Sequence, residues 1–475
     1  MNKWPRIKNQ IGLAMLFTCD ILTLAFLFYL SFLIRRDFLP RIFETLSPFN
    51  QDIKSYWWIF LIWIGVFIYK DGYSKRFAFW DEIKFLWQSV FTSLVLIVTI
   101  LFISKKGPEF SRILIFTMTL LAFPIFPLAR LFIKRTLYKL GLMRRKILIL
   151  GSGEAAKRAL SAVRNEPNLG YEVAGFIDDS PKTKKIDGIK IHLGLKQIER
   201  YVKSAGIHDV IIAKPELNKK RLASLISHVQ HKVENTLFLP DIDGIAVTET
   251  ELRYFFQEQT IIIEIQNNLS KPLIYLTKRL IDYFLGAFVF IFLFPLMLLI
   301  SAAIKFTSKG PVFFVQQRIG KKGKLFKCYK FRTMYSNAEE KLEELLNENE
   351  KAKNEWNKYW KLKNDPRITS VGRFLRKTSL DELPQVINVL KGEMSLIGPR
   401  PYLPREWNYI REESEIIHAL PPGITGLWQV SGRNEKDYNF RIAMDSWYVK
   451  NWSLWLDIVI LFKTIRAIIK KEGAC

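Results

Sequence analysis

The sequence predicts a membrane protein of mixed α and α/β class: a four-helix N-terminal transmembrane region, a Rossmann-like α/β domain, and a re-entrant membrane helix leading into an α-rich domain on the cytosolic face. Three observations predict it. Four apolar segments, at 11–34, 53–69, 84–103 and 111–133, lie near the ~20 residues a bilayer needs, the second being short. A β-like run, Lys146–Leu150, opens onto a glycine-rich turn and a helical pattern. A further apolar stretch, 281–304, has Pro295 near its middle and cations on both flanks. The corresponding divisions are 1–144, 145–265 and 266–475.

At 475 residues, two to four domains are expected. The formal charge of +26 calls for an anionic partner: nucleic acid, anionic lipid or a phosphorylated substrate. Hydrophobic content of 49% and aromatic content of 14% at such a charge fit a membrane protein with basic flanks, so membrane lipid is preferred to nucleic acid. Cys19, Cys328 and Cys475 are scattered and provide neither a disulfide framework nor metal spacing. The first apolar segment is too long, and its followers too many, for a cleaved signal peptide. Four spans bring both ends of the region to one side. That side carries Lys3, Arg6, Lys8, Lys70, Lys75, Arg76 and Lys84, and then Lys134, Arg135, Lys139, Arg144, Arg145 and Lys146. Fewer cations flank the other side, so the N-terminus and everything after residue 134 are expected in the cytoplasm.

In the middle domain, Gly151-Ser-Gly153-Glu-Ala-Ala156 follows the first strand, a G-x-G-x-x-A turn suited to phosphate on backbone N–H groups. "YEVAGFIDDS" reads as a second strand ending at Asp178, where a ribose-binding acid would sit. "HDVIIA" and "NTLFL" supply further strands around a helix at 216–231. Gly151 and Gly153 equally suit a tight turn with close helix packing and no ligand. His192, His208, His228 and His231 form no ligand arrangement.

If residues 281–304 crossed the bilayer, the last ~170 residues would lie outside the cell. Lys271, Lys278 and Arg279 precede the stretch, and Lys305, Lys309 and Arg318 follow it, which keeps both flanks cytoplasmic. Pro295 removes a backbone donor, so a helix–break–helix that dips into one leaflet is expected; a proline-kinked fifth span is the alternative.

Beyond the dip, Arg318, Lys330, Arg332, Arg367, Arg376, Arg400 and Arg433 lie in short strings rich in Gly, Pro and Thr: "FKCYKFRTM", "NDPRITSVGRFLRKTSLDELPQ", "SLIGPRP" and "PPGITGLWQVSGRN". Arginine fixed in loops suits bidentate phosphate recognition. Asp381 and Glu382 stand side by side just before Pro384. Ser379 and Glu382 have capping-box spacing, so helix capping accounts for the pair in one way. A nucleophile beside a metal-binding neighbour accounts for it in another. A carboxylate with a depressed pKa stays ionised and can attack phosphorus, and Mg²⁺ takes one or two carboxylates together with substrate phosphates. Pro384 suits the first helical position and would leave the pair just before a helix start.

These strings resemble the polyprenyl-phosphate hexose-1-phosphate transferases, the monotopic phosphoglycosyl transferases of bacterial surface-polysaccharide assembly. The resemblance covers about 270–475, and the four-span region and Rossmann-like domain look like those of the family's large members. It implies Asp381 as nucleophile and Glu382 as Mg²⁺ ligand. Arg376 and Arg400 are implied as phosphate contacts, Lys330 and Arg332 as members of the same site, and Pro295 as the family's proline break. It also implies a UDP-hexose and undecaprenyl phosphate as substrates, UMP as product, a phosphosugar-aspartate intermediate and a homodimer. The charged insertion 336–363 followed by "KLKNDPRIT" looks more like galactose-phosphate than glucose-phosphate transferases. A Rossmann-type oxidoreductase with a membrane anchor is the alternative of another class, although no hydride-transfer constellation is visible. In the insertion, Trp356, Tyr359 and Trp360 either dock or decorate a solvated helix. The tail, with Trp452, Trp455, Ile458, Val459 and Phe462 at helical spacing, reads as an interfacial or a core-packing helix.

Overall fold

The computed structural model describes residues 4–44, 46, 49, 52–181, 183–194, 198–241, 251–255, 260–264, 268–350, 353–354, 356, 365–431 and 438–470. The chain divides into two compact units, Met1–Ile242 and Asp243–Cys475.

In the first unit, helices α1 (Trp4–Leu33, continuing as helix to Ile42), α2 (Trp57–Tyr69), α3 (Phe79–Ile103) and α4 (Arg112–Lys139) form the bundle. Three of them are long and apolar enough to cross a membrane; α2 has only 13 residues, extended by the 3₁₀ turn Ile53–Tyr56. The bundle core mixes aliphatic residues with aromatic rings: Trp63 stacks on Phe126, and Phe67 meets Phe126 edge-on. Buried charges at Asp20, Glu82, Arg130 and Lys134 are paired with one another, as low dielectric demands. The Arg130 guanidinium donates to Asp20 at 2.6 and 3.1 Å, Lys134 lies 2.7 Å from Glu82, and Asn168 donates to Glu82 at 2.6 Å. Asn168 belongs to the α/β domain, and Arg76 donates to the Leu169 and Met143 carbonyls. Bundle and α/β domain are thus joined by polar contacts.

That domain contains β1 (Arg145–Leu150), α5 (Glu154–Asn165), β2 (Tyr171–Asp178), β3 (Lys185–Ile186), β4 (Ile189–Leu193), α6 (Ile198–Ala205), β5 (Asp209–Ile212), α7 (Lys219–Gln230) and β6 (Asn235–Phe238). The sheet order is β3-β4-β2-β1-β5-β6, parallel except for the β3–β4 pair. The order reverses around β1, so the ligand crevice of such a sheet lies beyond the ends of β1 and β5. The helix expected at 216–231 is α7, three residues shorter at its start and one at its end.

In the second unit, a hairpin of β7 (Glu251–Phe255) and β8 (Thr260–Glu264) precedes α8 (Pro272–Thr307). The expected break is not seen: α8 runs without interruption through Pro295. A proline costs one backbone hydrogen bond, and apolar surroundings hold the remaining ladder together. One face of α8 carries the buried Lys278, Asp282, Gly286, Met297, Ile300 and Ile304; Phe284, Phe288, Ile291, Phe292 and Leu299 are exposed. The rest comprises the hairpin β9 (Phe313–Ile319) and β10 (Leu325–Phe331), α9 (Ala338–Glu348), α10 (Ser370–Thr378), α11 (Gln385–Leu390), the parallel pair β11 (Ser395–Ile397) and β12 (Gly423–Thr425), α12 (Tyr438–Lys450) and α13 (Leu454–Lys470).

The tail combines both sequence readings. Val459 and Ile460 pack inward, while Phe462, Ile465 and Ile469 are exposed. Trp452 is buried and Lys278 lies over its ring. Trp356 lies under the Arg367 guanidinium at 5.0 Å; Tyr359 and Trp360 fall outside the described residues.

Candidate active site

The site is built at the end of α10. Thr369 caps that helix, its hydroxyl accepting the Gly372 N–H at 2.9 Å. Gly372 lies so close to the Thr333 carbonyl that a Cβ there would collide with it. This approach lets Arg376 Nε donate to Thr333 Oγ1 at 2.9 Å. Ser379 closes the helix in the left-handed region, φ +57°, strained for a residue with a side chain. A single 3₁₀ turn, Leu380–Glu382, then carries the two carboxylates, and Pro384 caps α11.

The capping-box reading is therefore overturned: Ser379 ends one helix rather than starting the next, and its side chain makes no capping bond. Asn388, missed by sequence reasoning, pins α11 to β10. It accepts the Tyr329 N–H and donates to the Lys327 carbonyl at 2.7 Å. That brings Lys330 to the turn, where its Nζ lies 2.6 Å from Glu382 Oε1.

Asp381 is half-buried. Burial pushes its pKa up to about 6; the Glu382 charge adds to the rise, and Lys330 and Arg376 pull the other way. The depressed pKa expected from sequence is thus reversed, because desolvation outweighs the nearby cations. The same burial lowers the pKa of Arg376, with the Asp381 and Asp365 charges opposing it.

The remaining cations divide into two groups. Arg318 donates to the Pro401 carbonyl at 3.0 Å and to Gln316 Oε1 at 2.7 Å. Arg400 lies 5.5 Å over the Trp428 ring, and its backbone N–H donates to Asp445. Arg441, which sequence reasoning missed, lies 4.5 Å over the same ring. Burial lowers the pKa of both Arg318 and Arg441, and the Arg400 charge lowers both further, so the three guanidiniums share one neighbourhood. Among the described residues, Nε of each has no hydrogen-bond partner and none of the three forms an ion pair. Asp445 is fully buried, accepts from Tyr402 at 2.8 Å, and is pushed up to about 7 by burial. Such uncompensated donors suit an anionic ligand. Arg441 had escaped notice because it lies within a helix, "YNFRIAMD", rather than in a Gly-Pro string.

Two arginines depart from the expected phosphate role. Arg332 donates to the Ser308 and Lys309 carbonyls at 2.8 and 3.0 Å, tying down the end of α8. Arg367 forms a buried bidentate pair with Asp365 at 2.8 and 2.7 Å. Both Nη groups of Arg332 and the Nε and Nη2 of Arg367 are thus bonded to the protein itself, while Arg332 Nε has no partner among the described residues. Arg433 lies outside the described residues.

In the α/β domain, Gly151 has φ +121°, and a Cβ there would come within 2.5 Å of the Ala213 carbonyl oxygen, so glycine is required sterically. Gly153 caps α5. Asp178 already has protein partners, Lys214 Nζ and Ser152 Oγ, each at 2.6 Å. Those bonds hold its carboxyl below the usual range despite burial.

Among the described residues no three His, Cys, Asp or Glu side chains gather as a metal cage. Two carboxylates such as Asp381 and Glu382 are a number that Mg²⁺ accepts, since it keeps waters and shares phosphate oxygens with a substrate.

A carboxylate pair held in a turn, flanked by a lysine and an arginine and carried on a domain fixed to an apolar helix, is an arrangement suited to phosphoryl transfer beside a membrane. The family described as "Bacterial sugar transferase" matches residues 273–471, and "CoA-binding domain" matches residues 68–240. An undecaprenyl-phosphate galactose phosphotransferase of Salmonella typhimurium is 38% identical over 85% of this chain and 84% of its own length. A UDP-galactose-lipid carrier transferase of Erwinia amylovora is 36% identical over 85% and 84%. A UDP-glucose:undecaprenyl-phosphate glucose-1-phosphate transferase of Escherichia coli is 32% identical over 68% of each chain. The chain belongs to the polyprenyl-phosphate hexose-1-phosphate transferase family.

Proposed function

We propose that this enzyme transfers hexose-1-phosphate, galactose-1-phosphate in the preferred reading, from a UDP-sugar to undecaprenyl phosphate. A carboxylate oxygen of Asp381 attacks the sugar-bearing phosphorus. The pyrophosphate P–O bond breaks, and UMP leaves with the bridging oxygen. A phosphate oxygen of the lipid then attacks the same phosphorus, the P–O bond to Asp381 breaks, and the carboxylate is regenerated. The observation that carries this reading is the 3₁₀ turn that presents a half-buried Asp381 between Lys330 and Arg376. Both cations attract the negative charge gathered on the transferring group, and alignment with charge neutralisation is most of what phosphoryl transfer requires. Glu382, and in part Asp381, would hold Mg²⁺, which supplies further charge neutralisation at the phosphates.

Arg318, Arg400 and Arg441 receive the phosphates in the same reading, supported by their unpartnered Nε atoms. Galactose is preferred over glucose because the two galactose-named relatives align over more of the chain at higher identity. A one-sided seat for α8 in the inner leaflet, with the Rossmann-like and catalytic domains on the cytoplasmic side, is supported by a single domain gripping both helix ends. Lys278 bonds Asp457 at 2.7 Å, and Ser308 accepts from Arg332 at 2.8 Å. A homodimer belongs to the same proposal; the mass of the protein in nanodiscs tests it.

The decisive experiment is UMP release by purified protein with several UDP-sugars, Mg²⁺ and undecaprenyl phosphate. Asp381→Asn is expected to lose on the order of 10³-fold or more. Activity retained by that variant, or transfer with no phosphosugar adduct on Asp381, overturns the assignment.

A further inference from the structure

At the end of the helix bundle that adjoins the α/β domain, the turn from α2 into α3 encloses a pocket of about 580 Å³. Three lysines, Lys70, Lys75 and Lys84, and two aspartates, Asp71 and Asp81, line it. Lys75 is paired with Asp71 at 2.8 Å. Lys70 reaches along α3 instead. Its Nζ donates to the Gln88 carbonyl at 3.2 Å and to Thr92 Oγ1 at 2.9 Å. Both acceptors are neutral, and an ammonium has three donors, so one N–H is left over. Lys84 forms no hydrogen bond or ion pair among the described residues. Thr92 lies eight residues beyond Lys84, about 12 Å along the helix, and α3 carries no charged residue after Lys84. The Lys70 ammonium therefore stands at the edge of the hydrocarbon, where a cation without a counter-charge is costly.

Beyond the pocket both helices turn apolar side chains outward. On α3, Phe91 and Val95 continue the Lys84–Gln88 stripe at helical spacing and are exposed. On α2, Leu61 and Ile68 are exposed, and a Cβ at Gly65 would meet nothing within 4 Å, which leaves open space beside the helix. A cationic pocket above exposed apolar strips matches an amphiphile with a phosphate head and acyl chains. We propose that this pocket holds the headgroup of an anionic glycerophospholipid, its phosphate taking donors from Lys70 and Lys84 and its chains lying along α2 and α3. The charge selects the headgroup: three ammonium groups against two carboxylates leave one positive charge, which a singly anionic lipid balances and a zwitterionic one does not. The inference is independent of the transferase reading, since the pocket belongs to the first unit and the carboxylate pair to the second.

The test counts bound molecules by native mass spectrometry of the full-length protein in a neutral detergent. Phosphatidylglycerol, phosphatidylcholine, phosphatidylethanolamine, undecaprenyl phosphate and inorganic phosphate are titrated separately. The wild type is expected to retain one phosphatidylglycerol about tenfold more tightly than either zwitterionic lipid. Lys84→Gln and Lys70→Gln should each weaken that binding about fivefold, the effect of one lysine beside an anionic lipid. Lys84→Gln breaks no bond among the described residues, so it tests the site even where Lys70→Gln disturbs the α2–α3 turn. Lys54→Gln, in the 3₁₀ turn at the opposite end of α2, should change nothing.

Equal retention of the zwitterionic lipids, or Lys84→Gln binding like wild type, overturns the site. So does a loss in Lys54→Gln as large as in Lys84→Gln, which would reduce the effect to general surface charge. Displacement of the bound lipid by inorganic phosphate would make the pocket a seat for a free anion. Preferential retention of undecaprenyl phosphate, weakened by Lys84→Gln, would give it to that lipid. Either result overturns the phospholipid assignment.

Discussion

Lys330 Nζ lies 2.6 Å from Glu382 Oε1, yet among the described residues no side chain donates a hydrogen bond to Asp381 next door. The lysine is committed to one carboxylate and acts on the other only through its field, lowering a pKa that burial has raised to about 6. A nucleophilic carboxylate must be ionised, so kcat/KM should fall about tenfold per pH unit below that value. In Lys330→Met the opposing field is gone and the Asp381 pKa rises, so the acid limb of the pH profile should move to higher pH. A pH profile of kcat/KM for the two proteins checks this. An unmoved limb would mean that Lys330 does not act on Asp381.

The Arg367–Asp365 pair predicts a loss of stability rather than of phosphate binding. Arg367→Ala leaves a buried carboxylate without its partner, which costs about 3–5 kcal/mol. The double variant Arg367→Met/Asp365→Leu removes both charges and should recover most of that loss. Thermal unfolding of the single and double variants in detergent decides it. If Arg367→Ala unfolds like wild type and weakens UDP-sugar binding, the phosphate role returns.

Arg441 is expected to behave in the opposite way. It lies over Trp428 beside another guanidinium, with burial and the Arg400 charge both disfavouring its ionised form. Arg441→Ala should therefore leave the melting temperature unchanged or raise it, as is common where function maintains strain. kcat/KM should fall by about 10²-fold, the scale for losing one well-placed charge donor. A drop in stability with unchanged kinetics would make Arg441 structural.

How much of this was legible in the sequence depended on distance along the chain. Asp381, Glu382 and Arg376 lie within one short string, and local pattern sufficed to find them. Their electrostatics were not legible: the rise in the Asp381 pKa comes from burial by distant elements, and no motif records it. Arg332 and Arg367 looked equivalent to Arg376 because all three sit in turn-rich strings. Only the fold shows that the Nη groups of Arg332 are bonded at Ser308 and Lys309 and that Arg367 is paired with Asp365. Helix periodicity located the bundle well, while Pro295 misled, because a proline's missing donor was read as a break and the α8 ladder continues around it.

The last prediction concerns which side of the membrane holds the end of α8. Lys278 is bonded to Asp457 near one end, and Ser308 to Arg332 at the other. A straight helix from Lys278 to Ser308 would extend about 45 Å, more than a ~30 Å hydrocarbon core. Were it to cross, Asp457 and Arg332 would be drawn to opposite faces, although Ile397 and Met394, buried residues beside β11, join the cores that hold α13 and β10. A polar domain bonded to both ends supports the proposed seat in one leaflet. Lys309→Cys, in a chain otherwise free of cysteine, should therefore resist a membrane-impermeant maleimide in intact cells and react in inverted vesicles. Pro295→Leu restores the missing backbone donor and so favours a crossing helix, and a fraction of that variant should become reactive from outside. Labelling of Lys309→Cys only from outside, with Pro295 intact, would place the site across the membrane from the cytoplasm and sink the one-sided arrangement.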